Sequence, residues 1–215
     1  MTKEQTSTAV ASSAWLQDIQ RKRKWVLLGL SAATLAGLAV SAPAWPDDGI
    51  VHEGIEWVGN CLLLLCVLGR GWCTMYIGGR KKAELVQNGP YSLSRNPLYV
   101  FSVIGCAGIG ARAGSLTAVV LLALACYAVF AIVVQKEERF LSEKFGAAYD
   151  KYKNRVPRFW PRFSVWQDRE VIETTPRLVL LSVRDAVLFY LAIPGLEIIE
   201  ALHEHGYLPV LFRLF

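Results

Sequence analysis

Charged residues are scarce in this chain: they make up 19% of its 215 residues, against 53% apolar residues. Soluble domains carry about 25% charged residues, so this composition leaves too little polar surface to cover a soluble fold. The apolar residues are also gathered into long runs. Together these features predict an all-α, polytopic integral membrane protein.

Histidine and paired cysteines are scarce as well. The chain has 3 histidines, and none of its 5 cysteines forms a CxxC pair, which argues against a disulfide-stapled exported protein. His52 and Glu56 are one helical turn apart near a membrane boundary, where solvation explains them, so we expect no metal. The net charge of +5 is accounted for by basic loops, so no nucleic-acid partner is expected.

Four apolar runs predict four transmembrane helices, at residues 25–46, 57–79, 97–111 and 114–134. The first run has no charge and corresponds to about 33 Å of helix, enough to cross a hydrocarbon core of about 30 Å. The second run is interrupted only by Arg70, which is expected to snorkel from a helix end. The short link between the last two runs predicts an antiparallel hairpin whose glycines serve close helix packing.

Basic residues predict the orientation, because Lys and Arg in short loops stay on the cytoplasmic side. They cluster at residues 21–24, 80–82 and 136–169, whereas the loop at 43–53 has none. The amino terminus and the segments around the third and fourth helices are therefore expected to face the cytoplasm. A secretory signal cleaved near Ala44 is the alternative for the start, but the apolar stretch begins late, so an uncleaved anchor is favoured.

Beyond Val134 the sequence predicts an amphipathic helix on the cytoplasmic membrane surface, ended by Pro157 and followed by an interfacial anchor at residues 156–163. A polar linker leads to a fifth apolar segment at residues 178–196, which either spans the bilayer or lies flat. We expect three parts: an amino-terminal cytoplasmic segment (1–24), a membrane core (25–163) and a linker with a membrane-associated segment (164–215).

A first candidate motif lies at the start of the third apolar run, with the sequence GPYSLSRNPLY at residues 89–99. Pro97 disfavours helical geometry at Asn96, so residues 89–96 are predicted to form a loop. Asn96 then suits the N-cap and Pro97 the first turn of the helix. Unpaired N–H groups there, with Arg95 beside them, favour an anionic ligand group. An ordinary helix cap beside a snorkelling arginine explains this stretch equally well.

A second candidate motif follows the fourth run, with the sequence EERFLSEKFGAAY at residues 137–149. Carboxylates that are partly desolvated at a membrane boundary are costly unless a cation is present. Lys136, Arg139 or a cationic ligand could be that cation; a solvated helix end is the alternative. Because a helical hairpin brings residues 97 and 134 to one membrane face, we expect the two motifs to lie together.

In this order and spacing the two motifs resemble the signature of the isoprenylcysteine carboxyl methyltransferase and phospholipid methyltransferase group, which is membrane-embedded and depends on S-adenosylmethionine. The resemblance covers roughly residues 80–162. It implies S-adenosylmethionine as cofactor and a lipophilic or small-molecule methyl acceptor. The residues it implies in cofactor binding are Glu84, Leu85, Val86, Tyr91, Asn96, Pro97, Leu98, Tyr99 and Glu137.

Two positions depart from that family's pattern. Asn96 stands where the family has histidine, which keeps hydrogen bonding but removes titration near neutral pH. Val133 stands where the carboxyl methyltransferases carry an arginine for the substrate carboxylate, so a prenylcysteine carboxylate is less favoured as acceptor than the family name suggests.

Two catalytic roles are predicted under this hypothesis. Glu138 would serve as general base for an amine acceptor, and Arg95 would matter more for a thiolate or carboxylate. The alternative from another class is a non-enzymatic membrane carrier or assembly factor on the same scaffold, with His52, Glu53 and Glu56 as an ion path. The sequence does not predict the acceptor or the oligomeric state.

Overall fold

The computed structural model describes residues 40–43, 49–78 and 84–214, with isolated positions at 29, 33, 36 and 37. Most of the predicted first transmembrane helix and the basic residues at 21–24 and 80–82 lie outside the described residues. The end of that predicted helix is wrong, because Ser41–Pro43 forms an extended strand. Proline disfavours helical geometry at the residue before it, which explains the extended conformation here.

The described residues are mostly helical, and the helices follow one another along the chain with short connections. Two single-turn 3₁₀ helices lie at Phe163–Val165 and Leu188–Leu191. The α-helices are α1 (Ile50–Ile77), α2 (Pro90–Leu93), α3 (Pro97–Arg112), α4 (Leu116–Phe145), α5 (Ala147–Arg155), α6 (Pro176–Val187) and α7 (Ala192–Glu204). Strand β1 (Ser41–Pro43) pairs in parallel with β2 (Phe212–Leu214).

Among the described residues, 3 helical stretches are long and apolar enough to cross a membrane: α1, α4 and residues 176–203, which include α6 and most of α7. Helix α3 has 16 residues, about 24 Å of helix, which is short of a hydrocarbon core of about 30 Å. The prediction of an all-α membrane protein is therefore confirmed in its class. The number of four or five crossings stays a prediction.

Helices α1, α3 and α4 form the bundle that supports the site. Glycines allow close approach: a methyl group added at Gly59 of α1 would lie 2.7 Å from the backbone nitrogen of Arg112 and 2.9 Å from the backbone oxygen of Gly108 on α3. Such contacts are closer than real side-chain carbons make, so the two backbones nearly touch. The packing role predicted for the hairpin glycines is confirmed.

The position of Arg70 differs from its prediction. It does not reach out from a helix end but donates from Nη1 to the Oγ of Ser102 on α3, at 2.6 Å. Side chains on a helix lean toward its amino terminus, so Arg70 points away from the nearer, carboxyl-terminal end of α1 and into the bundle.

Helix α4 is longer than the apolar run that predicts it. It continues to Phe145, so Glu137 and Glu138 lie within the helix rather than at its end. The helix stops at Gly146, which has a φ of 50° that glycine adopts at little cost, and α5 begins there. Helix α5 ends at Arg155, and Pro157 follows, as predicted.

The fifth apolar segment is helical but interrupted. Pro194 has no N–H for the carbonyl of Tyr190, and its ring crowds that carbonyl, so the chain tightens into the 3₁₀ turn between α6 and α7. Arg112, at the end of α3, lies 3.7 Å from the Glu197 carboxylate of α7. Whether this segment spans the bilayer stays a prediction.

Candidate active site

The first motif folds around one short helix rather than the predicted open loop. Pro90–Leu93 forms α2, and its four residues are buried. Gly89 precedes it with a φ of 59°, and a side chain there would collide with the ring of Tyr76. Only glycine meets both demands, the left-handed backbone and the close approach.

Asn96 and Pro97 begin α3 as predicted, with Pro97 in the first turn. The Asn96 side chain does not cap the helix, although its backbone carbonyl accepts the first helical bonds. Instead its Nδ2 donates to the backbone oxygen of Arg158 at 3.1 Å, so the residue links α3 to a distant segment.

That segment, residues 156–168, runs along the first motif, and we call it the strap. Its backbone hydrogen bonds with the motif are spread over the motif's length: Arg95 N–H to Pro157 O at 2.9 Å, Arg162 N–H to Leu93 O at 3.0 Å, and Gly89 N–H to Gln167 O at 2.8 Å. The strap therefore holds the first motif in place. This role is additional to any contact that its exposed side chains make with the membrane. The predicted division at residue 163 falls inside it and stays a prediction.

The second motif places one of its carboxylates against the first motif. Tyr99 on α3 donates its hydroxyl to Oε1 of Glu137 on α4 at 3.0 Å. Both side chains are buried, with 5% and 8% of the residue surface exposed. A carboxylate desolvated to this degree is stabilised by such a bond and favours a nearby cation.

Glu138 lies in a different setting, between two arginines. Its Oε2 accepts from Nε and Nη2 of Arg158, at 3.0 and 2.7 Å, and its Oε1 lies 3.1 Å from Nη2 of Arg95. The bond to Glu138 raises the pKa of Arg158. This three-residue group, the Glu138 clamp, joins α4, the first motif and the strap. In this clamp the Glu138 carboxylate binds the two guanidinium cations. The role of general base predicted for Glu138 stays untested.

Arg95 reaches from the clamp to the cavity described below. Its Nη1 donates to the backbone oxygen of Lys153 on α5 at 3.2 Å, and its Nε is buried without a hydrogen-bond partner among the described residues. The clamp thus fixes the position of a guanidinium group that also faces ligand space.

Tyrosines of α5, which belongs to the segment predicted to lie on the membrane surface, complete the site. Tyr149 and Tyr152 are buried, and Tyr152 donates to the backbone oxygen of Tyr91 at 2.7 Å. Burial is the main cause that raises the pKa of Tyr149, Tyr152 and Tyr91, so all three hydroxyls keep their protons at neutral pH.

These elements enclose a cavity with an apolar wall and a few charged groups. Of the eleven residues that the sequence indicated, nine line it; Pro97 and Glu138 do not. Ile77, Leu141, Tyr149 and Tyr152 line it as well and were missed. The helical spacing of the α5 tyrosines was the available signal. The nine are Glu84, Leu85, Val86, Tyr91, Arg95, Asn96, Leu98, Tyr99 and Glu137.

The arrangement suits a ligand that is partly apolar and carries both charges. The Glu137 carboxylate favours a cation, the Arg95 guanidinium an anion, and the aliphatic side chains an apolar ring. Aromatic faces at a cavity wall also attract cations.

The opposite end of the bundle holds a second charged group. The Glu56 carboxylate on α1 pairs with Arg112 on α3, and Nε2 of His52 lies 3.8 Å from the same carboxylate. Within the described residues no three metal-ligating side chains come together.

The profile of one family, phospholipid methyltransferase, matches residues 62–148. The nickel-cobalt-cadmium resistance protein NccN of Alcaligenes xylosoxydans xylosoxydans is 35% identical over 160 residues, 74% of each chain. The cobalt-zinc-cadmium resistance protein CzcN of Cupriavidus metallidurans is 35% identical over 180 residues, 84% of this chain and 82% of its own. The chain belongs to the phospholipid methyltransferase family.

This membership confirms the resemblance carried by the two motifs, and with the apolar helices it makes the chain an integral membrane protein. The matched region runs from α1 into α5 and contains every cavity residue except Tyr149 and Tyr152, whereas the strap lies beyond it. No solved structure matches the chain.

Proposed function

We propose that this member of the phospholipid methyltransferase family is an S-adenosylmethionine-dependent enzyme that methylates a lipophilic or membrane-accessible acceptor. The observation that carries the proposal is the cavity between the two motifs, where the Glu137 carboxylate, the Arg95 guanidinium and tyrosine rings meet an apolar wall.

The residues of the cavity fit the proposed cofactor by their chemistry. Glu137, held by Tyr99, would take its cationic part, Arg95 would take its carboxylate, and Leu85 and Val86 would pack against its adenosine. When bound, the cofactor supplies a methyl group already activated on a sulfonium, so the protein need not generate a strong electrophile.

The chain contributes mainly by placement. Holding reacting groups in line supplies on the order of 7–11 kcal/mol through proximity. Tyr99 fixes the Glu137 carboxylate, the Glu138 clamp fixes Arg95, and the strap is hydrogen-bonded to the first motif along its length. These contacts hold the cavity wall in place before a ligand enters.

The neighbourhood of Val133 supports a choice among acceptors. Val133 is buried in an apolar cluster with Tyr99 and Phe130, so this position offers no cation for a prenylcysteine carboxylate. We favour a phospholipid amine or a thiol as the group that takes the methyl.

One observation favours a second candidate: both relatives are named as metal resistance proteins. A carrier using His52, Glu53 and Glu56 as an ion path would suit those names. Arg112 already pairs with the Glu56 carboxylate, and a guanidinium so placed repels a metal ion. We therefore rank the carrier below the enzyme.

Binding separates these candidates. Purified protein in detergent is expected to bind S-adenosylmethionine and S-adenosylhomocysteine, seen by calorimetry and as thermal stabilisation. Cobalt and cadmium ions at the same concentrations are expected to give neither. Metal binding without any response to either adenosyl ligand would favour the carrier.

We further propose that the cavity opens toward the cytoplasm. Cysteine labelling in sealed inverted and right-side-out vesicles tests this. A Lys153→Cys variant should react only from the cytoplasmic face, and a Val51→Cys variant only from the opposite face. The reverse pattern would overturn the orientation.

A further inference from the structure

One wall of the cavity is an irregular segment, residues 84–87, which we call the wall segment. It lies between α1 and α2 in the sequence, and three of its four residues line the cavity. Leu85, Val86 and Gln87 form no backbone–backbone hydrogen bond with another described residue. The position of this wall therefore depends on side-chain contacts.

Apolar contacts hold the wall segment on two sides. Leu85 packs against the buried cluster that contains the tyrosines of α5, and Val86 packs against the buried cluster of α1 and α2. Apolar contacts are not directional. They keep the segment between these helices but do not by themselves fix the orientation of its backbone.

A polar contact supplies that direction. Nη2 of Arg155, the last residue of α5, donates to Oε1 of Gln87 at 2.8 Å. Nε of Arg155 is buried, so the guanidinium is enclosed by protein rather than free in solvent. A guanidinium is planar and presents its donors in a rigid fork, which defines the direction of the bond. We call this bond the latch.

We propose that Arg155 is a positioning residue for the cofactor: through Gln87 it fixes the wall segment against which the adenosine packs. The proposal deepens the proposed function and rests on it. Neither Arg155 nor Gln87 lines the cavity. Both therefore act through the neighbouring Leu85 and Val86, whose side chains form the apolar wall.

The expected size of the effect follows from populations. The apparent Kd of a ligand rises in inverse proportion to the fraction of protein that is ready to bind it. Without the latch we expect the wall segment to keep its binding arrangement about a tenth of the time, so adenosine ligands should bind about tenfold more weakly. Glu137 and Arg95 are held by other contacts and should be unaffected.

Two ligands distinguish a displaced wall from damage to the charged groups. S-adenosylhomocysteine reaches both parts of the cavity, whereas 5′-methylthioadenosine has the adenosine but lacks the amino-acid part. Arg155→Ala should weaken both ligands by the same factor of about ten in calorimetry. Glu137→Gln should weaken only S-adenosylhomocysteine. A loss confined to S-adenosylhomocysteine in Arg155→Ala would contradict the positioning role.

A double-mutant cycle tests whether the effect passes through the latch. Gln87→Ala should weaken both ligands as Arg155→Ala does, and the double variant should bind no more weakly than either; additive losses would overturn the proposal. Gln87→Ala alone decides the matter if Arg155→Ala does not fold. Arg155→Lys keeps a donor and should restore most of the affinity. Lys151→Ala is the control, because Lys151 is exposed on the same helix.

Hydrogen exchange adds a readout that general destabilisation would not give. In ligand-free Arg155→Ala, the amides of residues 84–88 should exchange severalfold faster, whereas those of α3 and α4 should not change. S-adenosylhomocysteine should restore the protection. Faster exchange throughout the bundle would instead show that Arg155 stabilises the whole fold, and would overturn a specific role in positioning.

The outcomes separate this proposal from the function on which it rests. Unchanged affinity for both adenosine ligands in Gln87→Ala and Arg155→Ala overturns the positioning role even where the wild type binds them. Absence of binding by the wild type overturns the proposed function, and the role of Arg155 toward the cofactor falls with it. Exchange at residues 84–88 would still show whether the latch holds the wall segment.

Discussion

The two ends of the α1–α3–α4 bundle use similar charged residues in different ways. At one end, Glu56 and Arg112 pair and tie α1 to α3. At the other, Glu138 is shared by Arg95 and Arg158, while the neighbouring Glu137 faces the cavity. The difference distinguishes a binding site from an ion pair that only links two helices. The motif end has a second buried carboxylate in addition to the one that pairs with its arginines.

The largest effect is expected where the clamp is broken. Glu138→Gln leaves the buried Arg95 without its countercharge, and breaking a buried pair costs about 3–5 kcal/mol. Because Arg158 is 44% exposed, we expect the lower end of that range. The measurement is the denaturant midpoint in detergent. A stability equal to that of the parent protein would show that the clamp does not stabilise the fold.

Glu137→Gln should separate binding from stability. It keeps size and hydrogen bonding but removes the charge, so it should weaken S-adenosylmethionine binding by on the order of 1.5–3 kcal/mol, the range for hydrogen bonds to charged groups. The folded amount in membranes should change little. Calorimetry measures the affinity.

Glu143→Gln is the matched control for that change, because Glu143 lies on the same helix and is exposed. It should bind the cofactor like the parent. If Glu137→Gln does so too, the assignment of Glu137 to the cofactor is wrong.

Arg112→Gln tests the opposite end. Loss of the pair with Glu56 should lower stability by about 1–3 kcal/mol, the cost of leaving a buried polar group unsatisfied. Affinity for S-adenosylmethionine should be unchanged, because no cavity residue contacts this pair. A fall in affinity as large as that of Glu137→Gln would erase the distinction between the two ends.

The smallest effect concerns pH. Burial raises the pKa of Tyr152, so its hydroxyl stabilises the fold below the ordinary tyrosine pKa of about 10, and that contribution falls as pH rises toward the folded value. Tyr152→Phe should cost about 1 kcal/mol at neutral pH and reduce the alkaline loss. Thermal melts from pH 8 to 11 measure it, with the exposed Tyr207→Phe as control. An identical alkaline loss in both variants would contradict this role.

Local rules predicted much of the site from the sequence. The restriction before proline placed the start of α3, and the hairpin argument brought Glu137 to Tyr99. Such features depend on a few neighbouring residues or on the length of one apolar run. The resemblance to the family rests on the same two motifs.

Features that depend on distant partners were not predictable in this way. Tyr149 and Tyr152 have the spacing of a membrane-facing stripe, yet they are buried with Val156 of the strap, and Tyr152 bonds to the backbone of the first motif. Arg70 likewise has the sequence context of a snorkelling side chain, and only the position of Ser102 shows that it points inward. Periodicity marks a buried face but not what covers it.

The strap also fixes when the site can form. The bond from Asn96 to the backbone of Arg158 joins residues 62 positions apart. At a synthesis rate of roughly 5–20 residues per second, Arg158 is therefore made about 3–12 s after Asn96. The bundle helices are made before the strap, whereas the site is completed afterwards. A chain halted after Arg155 should therefore insert its helices and still be unable to bind the cofactor.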